Sequence, residues 1–262
     1  MSIVYCSGYD VVNTTFTGRT DIKKVDCLNK PWNNNSMVSA FSECYNLSIV
    51  KNINENVVNM SNTFRNCYNL INILEIPNNV MDISYCFYNC SNLTEMSEIP
   101  DSVINMSSTF SNCFMLKYPS DLSLNVNDIS SLYNNCNNLL LSSEIPNSVT
   151  NMYETFAGCA NLAGDIEINS ENISNATNCF INTSANKDVY IPFKNNDVYT
   201  ETYNSFINAG YSTTERVNGA LLMDLNGPDI DLSDYEYNVD EQNDVTLTKY
   251  IGTKTIITTP HV

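Results

Sequence analysis

The sequence is short of the side chains that many enzymes use for chemistry. Its 262 residues contain one histidine, His261, close to the end of the sequence. We therefore predict no catalytic triad or dyad based on histidine. HExxH, phosphate-loop and GxGxxG patterns are also absent from the sequence. We therefore expect a protein that is not an enzyme and that carries no cofactor.

Positive charge and long apolar runs are also scarce. The chain has 12 Lys and Arg against 29 Asp and Glu, a formal net charge of -17. Nucleic acids and anionic membranes require clustered cations, so we expect neither as a partner. No apolar run approaches the roughly 20 residues of a membrane helix, so no membrane insertion is expected. Residues 1–6 lack a basic region followed by an apolar stretch, so we expect no secretory signal.

A seven-residue motif, Phe-x-x-Cys-x-Asn-Leu, returns along most of the sequence. A degenerate copy around Phe16 precedes the clear copies, and a copy at Phe180 has lost its cysteine. The motif cysteines are 23 residues apart without slippage: Cys44, Cys67, Cys90, Cys113, Cys136 and Cys159. A constant period of this length is typical of a solenoid, in which each coil buries its apolar face only against its neighbours.

Each repeat divides into three parts, as the copy around Phe64 shows. In residues 59–61 (Asn-Met-Ser), the Asn or Ser side chain can accept a hydrogen bond from a free backbone N–H at the start of a helix. Phe64 and Cys67 follow at helical spacing, so we predict a helix of two turns. Residues 70–76 predict a short strand that ends at Pro77, because proline cannot donate to a ladder. A turn then returns the chain. Neighbouring strands are expected to stack in parallel about 4.8 Å apart.

The cysteines follow the repeat rather than a disulfide pattern. Besides the six motif cysteines, Cys86 and Cys179 occupy a second column, directly before the repeat Phe. Free cysteine packs as a small hydrophobe, so we interpret these residues as buried reduced thiols. Disulfides and a metal site are the alternatives, although no CxxC pair occurs. We expect the motif asparagines to bond backbone groups of adjacent coils: Asn46, Asn69, Asn92, Asn138 and Asn161.

The combined pattern Ile-Pro-x-Ser-Val-x-x-Met-x-x-x-Phe-x-x-Cys-x-x-Leu resembles the BspA-type leucine-rich repeats of bacterial and bacteriophage surface proteins. The resemblance covers roughly residues 31–185. It implies an α/β leucine-rich-repeat solenoid with 23-residue repeats, short parallel strands and short helices, used as a binding surface. The repeats at Leu122 and Ile168 depart from the pattern because they lack Ile-Pro.

Four regions follow from the repeat and its limits. We assign residues 1–30 to an N-terminal cap with a degenerate repeat, on which Trp32 is expected to pack, and residues 31–185 to the solenoid. Residues 186–225 are predicted to form a βαβ cap over the open end of the core, and residues 226–262 a small β element.

The predicted C-terminal cap has three elements. A strand is expected at residues 188–193, a helix at residues 196–209 that ends before Gly210, and a strand at residues 216–225. The wording of residues 189–211 also resembles segments that follow such repeats in tail or fibre proteins of gut bacteriophages.

A column of carboxylates is the most informative chemical feature. Its members are again 23 residues apart, each directly before the residue that ends a strand: Glu75, Glu98, Asp121, Glu144 and Glu167. Two like charges about 5 Å apart repel by roughly 1 kcal/mol in water. The column is either a hydrated stripe that keeps the chain dissolved or a binding stripe for a cation, a basic protein surface or Ca²⁺.

The strand positions two residues after the repeat Leu form a second candidate surface. They vary along the repeat, which either a recognition surface or sequence drift would produce: Ile49, Asn72, Glu95, Tyr118, Leu141 and Gly164. We single out Glu95 and Tyr118 as candidate contacts. The nearby Tyr45, Tyr68 and Phe114 are interpreted either as packing or as contacts to a sugar or protein.

The sequence from Asp224 to Asp231 alternates oxygen-bearing side chains around a glycine. Its spacing is not that of an EF-hand, so we interpret it as an acidic turn, with a calcium loop as the alternative.

These observations favour a non-catalytic binding or adhesion module of a bacteriophage virion, in a tail or fibre, that recognises a bacterial surface protein or glycan. The alternative is a structural virion component that contacts other subunits, or a bacterial cell-surface repeat protein without a receptor role. The virion is the expected location, and the bacterial cell surface is the alternative.

Overall fold

A column of aromatic rings runs through the core and sets the stacking of the coils. In this computed structural model each ring stacks on the next with centroids 5.1–5.8 Å apart and interplanar angles of 4–20°. The column consists of Phe16, Phe41, Phe64, Phe87, Phe110, Tyr133, Phe156 and Phe180, and all are buried. Each coil is named below after its ring. The repeat period therefore corresponds to one turn of a solenoid.

The structure describes residues 3–5, 16–27, 31–73, 75–96, 98–163, 166–183, 188–192, 201–209, 213–217, 220–224, 235–239 and 245–250. Among them, no helix is long and apolar enough to cross a bilayer. The four regional boundaries proposed from the sequence stay predictions.

The prediction of a short helix in each repeat is wrong, because those residues form a run of turns. In the Phe41 coil, the Met37 N–H donates to Asn59 O of the next coil at 2.8 Å, and the Phe41 N–H donates to Thr63 O at 2.9 Å. Between them, the Ala40 N–H donates to Met37 O at 2.9 Å within its own coil. An α-helix would instead bond each N–H to the carbonyl four residues earlier. Alternate N–H groups thus tie each coil to the next.

Left-handed backbone at regular positions prevents the helix. The two columns with φ between +52° and +74° consist of Ser39, Asn62, Tyr85, Ser108, Ser131, Glu154 and Asn178, and of Glu43, Asn66, Asn89, Asn112, Asn135, Gly158 and Asn182. Asparagine tolerates this conformation better than most residues, which explains its abundance. At Gly158 an added Cβ would lie 2.4 Å from Asn135 Oδ1, so glycine also permits a close approach there.

The Asn or Asp predicted to cap the helix begins the turns instead. Asn59 Oδ1 accepts the Ser61 N–H at 2.8 Å, and Asp82 Oδ1 accepts the Ser84 N–H at 2.8 Å. The same column forms single-residue parallel bridges from coil to coil: Ser36, Asn59, Asp82, Asn105, Asp128, Asn151 and Asn175. The predicted hydrogen bond from a backbone N–H to the Asn or Asp side chain is present, but it stabilises an Asx turn rather than the start of a helix.

Parallel strands after the repeat Leu occur at both ends of the solenoid. Strands β1 (Ile3–Tyr5), β2 (Lys24–Asp26), β3 (Ile49–Lys51) and β4 (Asn72–Ile73) form a four-stranded parallel sheet in that order. β5 (Ile166–Glu167) is the next strand among the described residues. Pro119, which has no N–H to donate, lies in the intervening stretch.

The column of motif asparagines supports the stack of coils. The motif asparagines bond neighbouring coils as predicted at Asn46, Asn69 and Asn138, whose Nδ2 groups donate to backbone carbonyls at 2.7–2.9 Å.

At the N-terminal end, Phe16, Ile22 and Val25 are buried, and Val12 and Leu28 of the degenerate repeat lie outside the described residues. Trp32 is buried and meets the Phe41 ring edge-on at 5.9 Å.

Helix α1 (Glu201–Asn208) lies against the last coil. Its Phe206 ring stacks on Phe180 at 6.1 Å. Thr202 Oγ1 donates to Ser170 O and accepts the Ile173 N–H, both at 2.8 Å. The aromatic column therefore ends on a helix, which covers the core face of the final coil.

The strands next to α1 differ from the predicted βαβ unit. β6 (Asp188–Pro192) pairs in parallel with β5 and so extends the strand column of the solenoid. The single strand predicted at residues 216–225 is instead two antiparallel strands, β7 (Thr213–Val217) and β8 (Ala220–Asp224), in a sheet of order β5-β6-β8-β7. Asn218-Gly219, a strong hairpin signal, lies between them in the sequence and was overlooked.

In the C-terminal region, β9 (Tyr235–Val239) pairs antiparallel with β10 (Val245–Tyr250). The register shifts between Leu247 and Lys249.

Replacing one ring of the column should destabilise the solenoid far more than replacing an exposed ring of the same coil. We expect Phe110→Ala to cost about 3–5 kcal/mol in the free energy of unfolding, because it leaves a cavity between two stacked rings. Phe114→Ala, at a ring that is 40% exposed, should cost less than about 1 kcal/mol. Urea denaturation followed by circular dichroism measures both, and equal costs would contradict the role of the column.

Candidate binding groove

A groove follows the outer corner at which the strand segments end. Its first stretch, of about 980 Å³, is lined by residues 50–53, 55, 75–79 and 98–101 of three successive coils. A second stretch, of about 550 Å³, is lined by residues 96, 98, 99, 101, 119–122 and 124. The two stretches share Glu98, Ile99 and Asp101, so together they form one groove from the Phe41 coil to the Phe110 coil.

The floor of the groove is one column of the apolar core. Ile53, Ile76, Ile99 and Leu122 keep 9%, 5%, 8% and 7% of their surface exposed. The next members of this column are fully covered, with Ile145 at 0% and Ile168 at 1%. The groove is therefore a place where buried core side chains keep a small exposed surface.

Backbone bonding explains where the floor opens and where it closes. In the closed part, the Ile145 N–H donates to Glu167 O at 2.8 Å, and Ile145 forms a bridge with Ile168. In the open part, Pro77 and Pro100 follow the floor residues directly. Pro146 follows Ile145 in the same way in the closed part, so the backbone bond of the Ile145 N–H, and not proline, distinguishes the two parts.

All five carboxylates of the predicted column are exposed, but they do not share one environment. Glu75, Glu98 and Asp121 line the groove. Glu144 and Glu167 lie in the Tyr133 and Phe156 coils, beyond the lining of these two stretches, and Glu144 Oε1 accepts a hydrogen bond from Asn169 Nδ2. The structure thus divides a column that is uniform in sequence into a groove part and an outer part.

Two further groove carboxylates, Glu55 and Asp101, were missed in the sequence analysis. They occupy a different 23-residue column, which reads Glu55, Asn78, Asp101 and Leu124 and so has no constant charge. Asp101 Oδ1 also accepts the Leu124 N–H at 3.2 Å, which connects the two stretches of the groove. Aligning every position of the repeat, rather than the constant ones, would have exposed this column.

The groove carboxylates face little competing positive charge. Lys51 lines one end, but its Nζ lies 3.1 Å from Asp26 Oδ2 in the preceding coil. Asn52 Nδ2 donates to the other oxygen of Asp26 at 2.7 Å. In the described part of the chain, the other ion pair joins Arg19 to Asp21. Glu75, Glu98 and Asp121 therefore have no ion-pair partner among the described residues.

The strand-surface candidates Glu95 and Tyr118 are both exposed, and 58% of Tyr118 is accessible. Of the other aromatics, Tyr45 and Tyr68 stack on each other at 5.1 Å while keeping 37% and 39% of their surface exposed. Each ring thus packs on its neighbour and remains partly available. The alternatives of packing and ligand contact stay open for these side chains.

Metal binding gains no support from the residues that can be placed. No group of three or more His, Cys, Asp or Glu side chains is arranged to hold a metal ion in the described ranges. Of the acidic segment from Asp224 to Asp231, only Asp224 is described, as the last residue of β8, and the rest lies outside the described residues.

The described cysteines are free and buried, which confirms the prediction of reduced thiols for them. Each motif thiol donates to the carbonyl of the ring residue in the preceding coil: Cys44 to Phe16, Cys67 to Phe41, Cys90 to Phe64, Cys113 to Phe87, Cys136 to Phe110, and Cys159 to Tyr133, at 2.9–3.2 Å. Burial raises the pKa of Cys44 to about 11 and that of Cys67, Cys90 and Cys136 well above the ordinary value. These thiols are structural donors rather than nucleophiles.

Stacked parallel coils, a column of buried rings and a surface of variable residues define a leucine-rich-repeat solenoid. The chain belongs to the BspA-type leucine-rich-repeat family: the model described as "BspA type Leucine rich repeat region (6 copies)" matches residues 13–139 and 84–210. Members of such repeat families are typically non-catalytic modules for protein binding or adhesion.

Two solved structures are similar to this chain. A leucine-rich-repeat protein of T. pallidum is 21% identical with a TM-score of 0.46, over 58% of this chain and 71% of that protein. A leucine-rich-repeat protein of Bacteroides ovatus is 22% identical with a TM-score of 0.40, over 68% of this chain and 61% of that protein. A search of curated proteins finds no match.

The buried thiols predict a loss of stability in alkaline solution. The pKa of Cys44 rises from an ordinary value of 9.0 to about 11 on folding, so the folded chain holds this proton more tightly than the unfolded chain. The corresponding stabilisation is complete below about pH 9 and is lost as the pH rises through about 11. We expect the melting temperature to decrease as the pH is raised from about 9 to about 11, as measured by circular dichroism at constant ionic strength.

Cys90→Ala and Cys113→Ala variants provide a check on the source of this effect. Each removes one thiol whose pKa is raised by burial in the folded chain, so the alkaline decrease should become shallower. An identical decrease in the variants would contradict the assignment to the thiol column.

Proposed function

We propose that this chain is a non-catalytic binding or adhesion module of a bacteriophage virion, in a tail or fibre, that recognises a protein or glycan of the bacterial surface. The observation that carries the proposal is the groove: Glu75, Glu98 and Asp121 line an accessible apolar floor and have no ion-pair partner among the described residues. Such a surface is suited to a partner and serves no evident packing purpose.

The frame behind the groove supports recognition because it holds surface residues in place before a partner arrives. Ring stacking, thiol donors and coil-to-coil backbone bonds fix each coil against the next. A prearranged surface loses little conformational entropy on binding, which favours affinity. Exposed positions of this frame vary from coil to coil, as at Glu95 and Tyr118.

The placement on a phage particle rests on the resemblance of residues 189–211 to segments of phage tail and fibre proteins. The same binding role on a bacterial cell surface is the alternative location. In either case the partner lies outside the chain, and the groove offers it both charge and apolar contact.

A structural role in the virion is the second candidate, and an apolar surface column favours it. Val58, Met81 and Ile104 follow one another in successive coils and keep 37%, 48% and 43% of their surface exposed. The Met81 N–H donates to Val58 O, and the Ile104 N–H donates to Met81 O, both at 2.9 Å, so these residues lie side by side. Such a stripe is suited to packing against another subunit.

Flow cytometry of the fluorescently labelled chain against a panel of gut bacterial strains tests the binding role. We expect staining of a few strains, and loss of that staining in a Glu98→Lys/Glu144→Lys variant whose melting temperature is unchanged. Both carboxylates are exposed, so charge reversal should not disturb the core.

Absence of staining on every strain would contradict the receptor-binding role. The structural role would then be tested with a Met81→Ser/Ile104→Ser variant, for which loss of incorporation into assembled particles is the expected result. Staining that persists in the charge-reversal variant would leave the adhesion role intact and place its surface elsewhere.

A further inference from the structure

We infer that the groove binds an extended polypeptide segment of its partner in which Lys or Arg side chains lie next to apolar ones. The inference rests on the proposed binding function and specifies the chemistry of the partner. It is carried by the combination of an apolar floor, carboxylates that line the groove beside that floor, and the neutralisation of the one lining lysine by Asp26.

The negative charge of the groove determines that its partner carries positive charge. Glu75, Glu98 and Asp121 precede the floor residues along the chain, and Glu55 and Asp101 follow floor residues. Ile99 thus lies between two carboxylates of its own coil, and Ile53, Ile76 and Leu122 each have one carboxylate nearby in the sequence. The mutual repulsion of these carboxylates is relieved when a cation enters. The net charge of -17 attracts such a partner from a distance.

The floor distinguishes a polypeptide from a simple cation. Ile53, Ile76, Ile99 and Leu122 expose core side chains at the bottom of the groove, next to Pro77 and Pro100. A metal ion gains nothing from an apolar surface, and in the described ranges no three ligating side chains converge to hold one. A polypeptide satisfies both features, because apolar side chains contact the floor while basic side chains reach the carboxylates.

The length of the groove sets the length of the segment. The floor spans the coils from Ile53 to Leu122, which are three coil spacings apart, or about 15 Å at the usual spacing of neighbouring strands. An extended chain advances about 3.3 Å per residue, so about five residues fill the groove. A short linear segment is therefore sufficient to span the groove.

Fluorescence anisotropy with the full chain tests this inference directly. The probe is a fluorescein-labelled peptide of about eight residues in which Lys and Leu alternate, long enough to exceed the groove. Control peptides of equal length replace Lys by Gln, or Leu by Ser. We expect the probe to bind and both controls to bind at least about tenfold more weakly, because each lacks one of the two required contacts.

The repeat itself provides a matched pair of variants. Glu75→Gln/Glu98→Gln removes two carboxylates from the groove, and Glu144→Gln/Glu167→Gln removes two from the same sequence column beyond it. We expect the first variant to weaken probe binding about tenfold and the second less than about twofold. All four side chains are exposed, so both variants should fold, and thermal melting is used to check this.

Several results would overturn the inference. Equal losses in the two variants would show that long-range charge alone attracts the probe. Equal binding of the Ser-containing control, or equal competition by spermine at the same charge concentration, would show that the floor does not contribute and that any polycation suffices. Failure of the unaltered chain to bind the probe would overturn the inference as a whole.

The proposed function is tested independently by the cell-staining experiment. Staining without probe binding would overturn the groove assignment and leave the adhesion role in place. Probe binding that is lost selectively in Glu75→Gln/Glu98→Gln, without staining of any strain, would support the groove and overturn the proposed bacterial target.

Discussion

The face-to-face stacking of one aromatic ring per coil is the interaction on which the rest of the structure depends. Because the rings from Phe41 to Phe156 recur every 23 residues and stack at 5.6–5.8 Å, all other positions of the repeat are brought into line with their equivalents. That alignment lets each thiol reach the carbonyl one coil away and each turn bond the next. Phe206 of α1 completes the column at its C-terminal end.

The same alignment produces the candidate binding surface. A repeated side chain becomes a column on the surface, and the groove lies where successive members of one core column keep part of their surface exposed. Glu98 is exposed for the same geometric reason that Phe87 is buried, since the period places each at a constant angle around the solenoid. Function and fold therefore use different positions of one repeat, and surface changes need not disturb the rings.

The repeat class, the buried thiols and the parallel stacking were predictable because each depends on spacing alone. The short helix was not, since Met60, Phe64 and Cys67 have the same spacing in a helix and in the run of turns. Left-handed backbone at Asn62 and Asn66 distinguishes the two, and their bonds run to the next coil rather than along the chain. Asparagine and serine at these positions were a signal for turns that the apolar spacing concealed.

The sequence by itself determined the period, the identity of the core column and the existence of a column of five carboxylates, because all of these follow from residues at fixed intervals. Only the tertiary structure decided that Glu75, Glu98 and Asp121 share a groove with Glu55 and Asp101, while Glu144 and Glu167 lie beyond it. The physical reason is local: the floor is accessible at Ile99 and closed at Ile145, where a backbone bond to Glu167 draws two coils together.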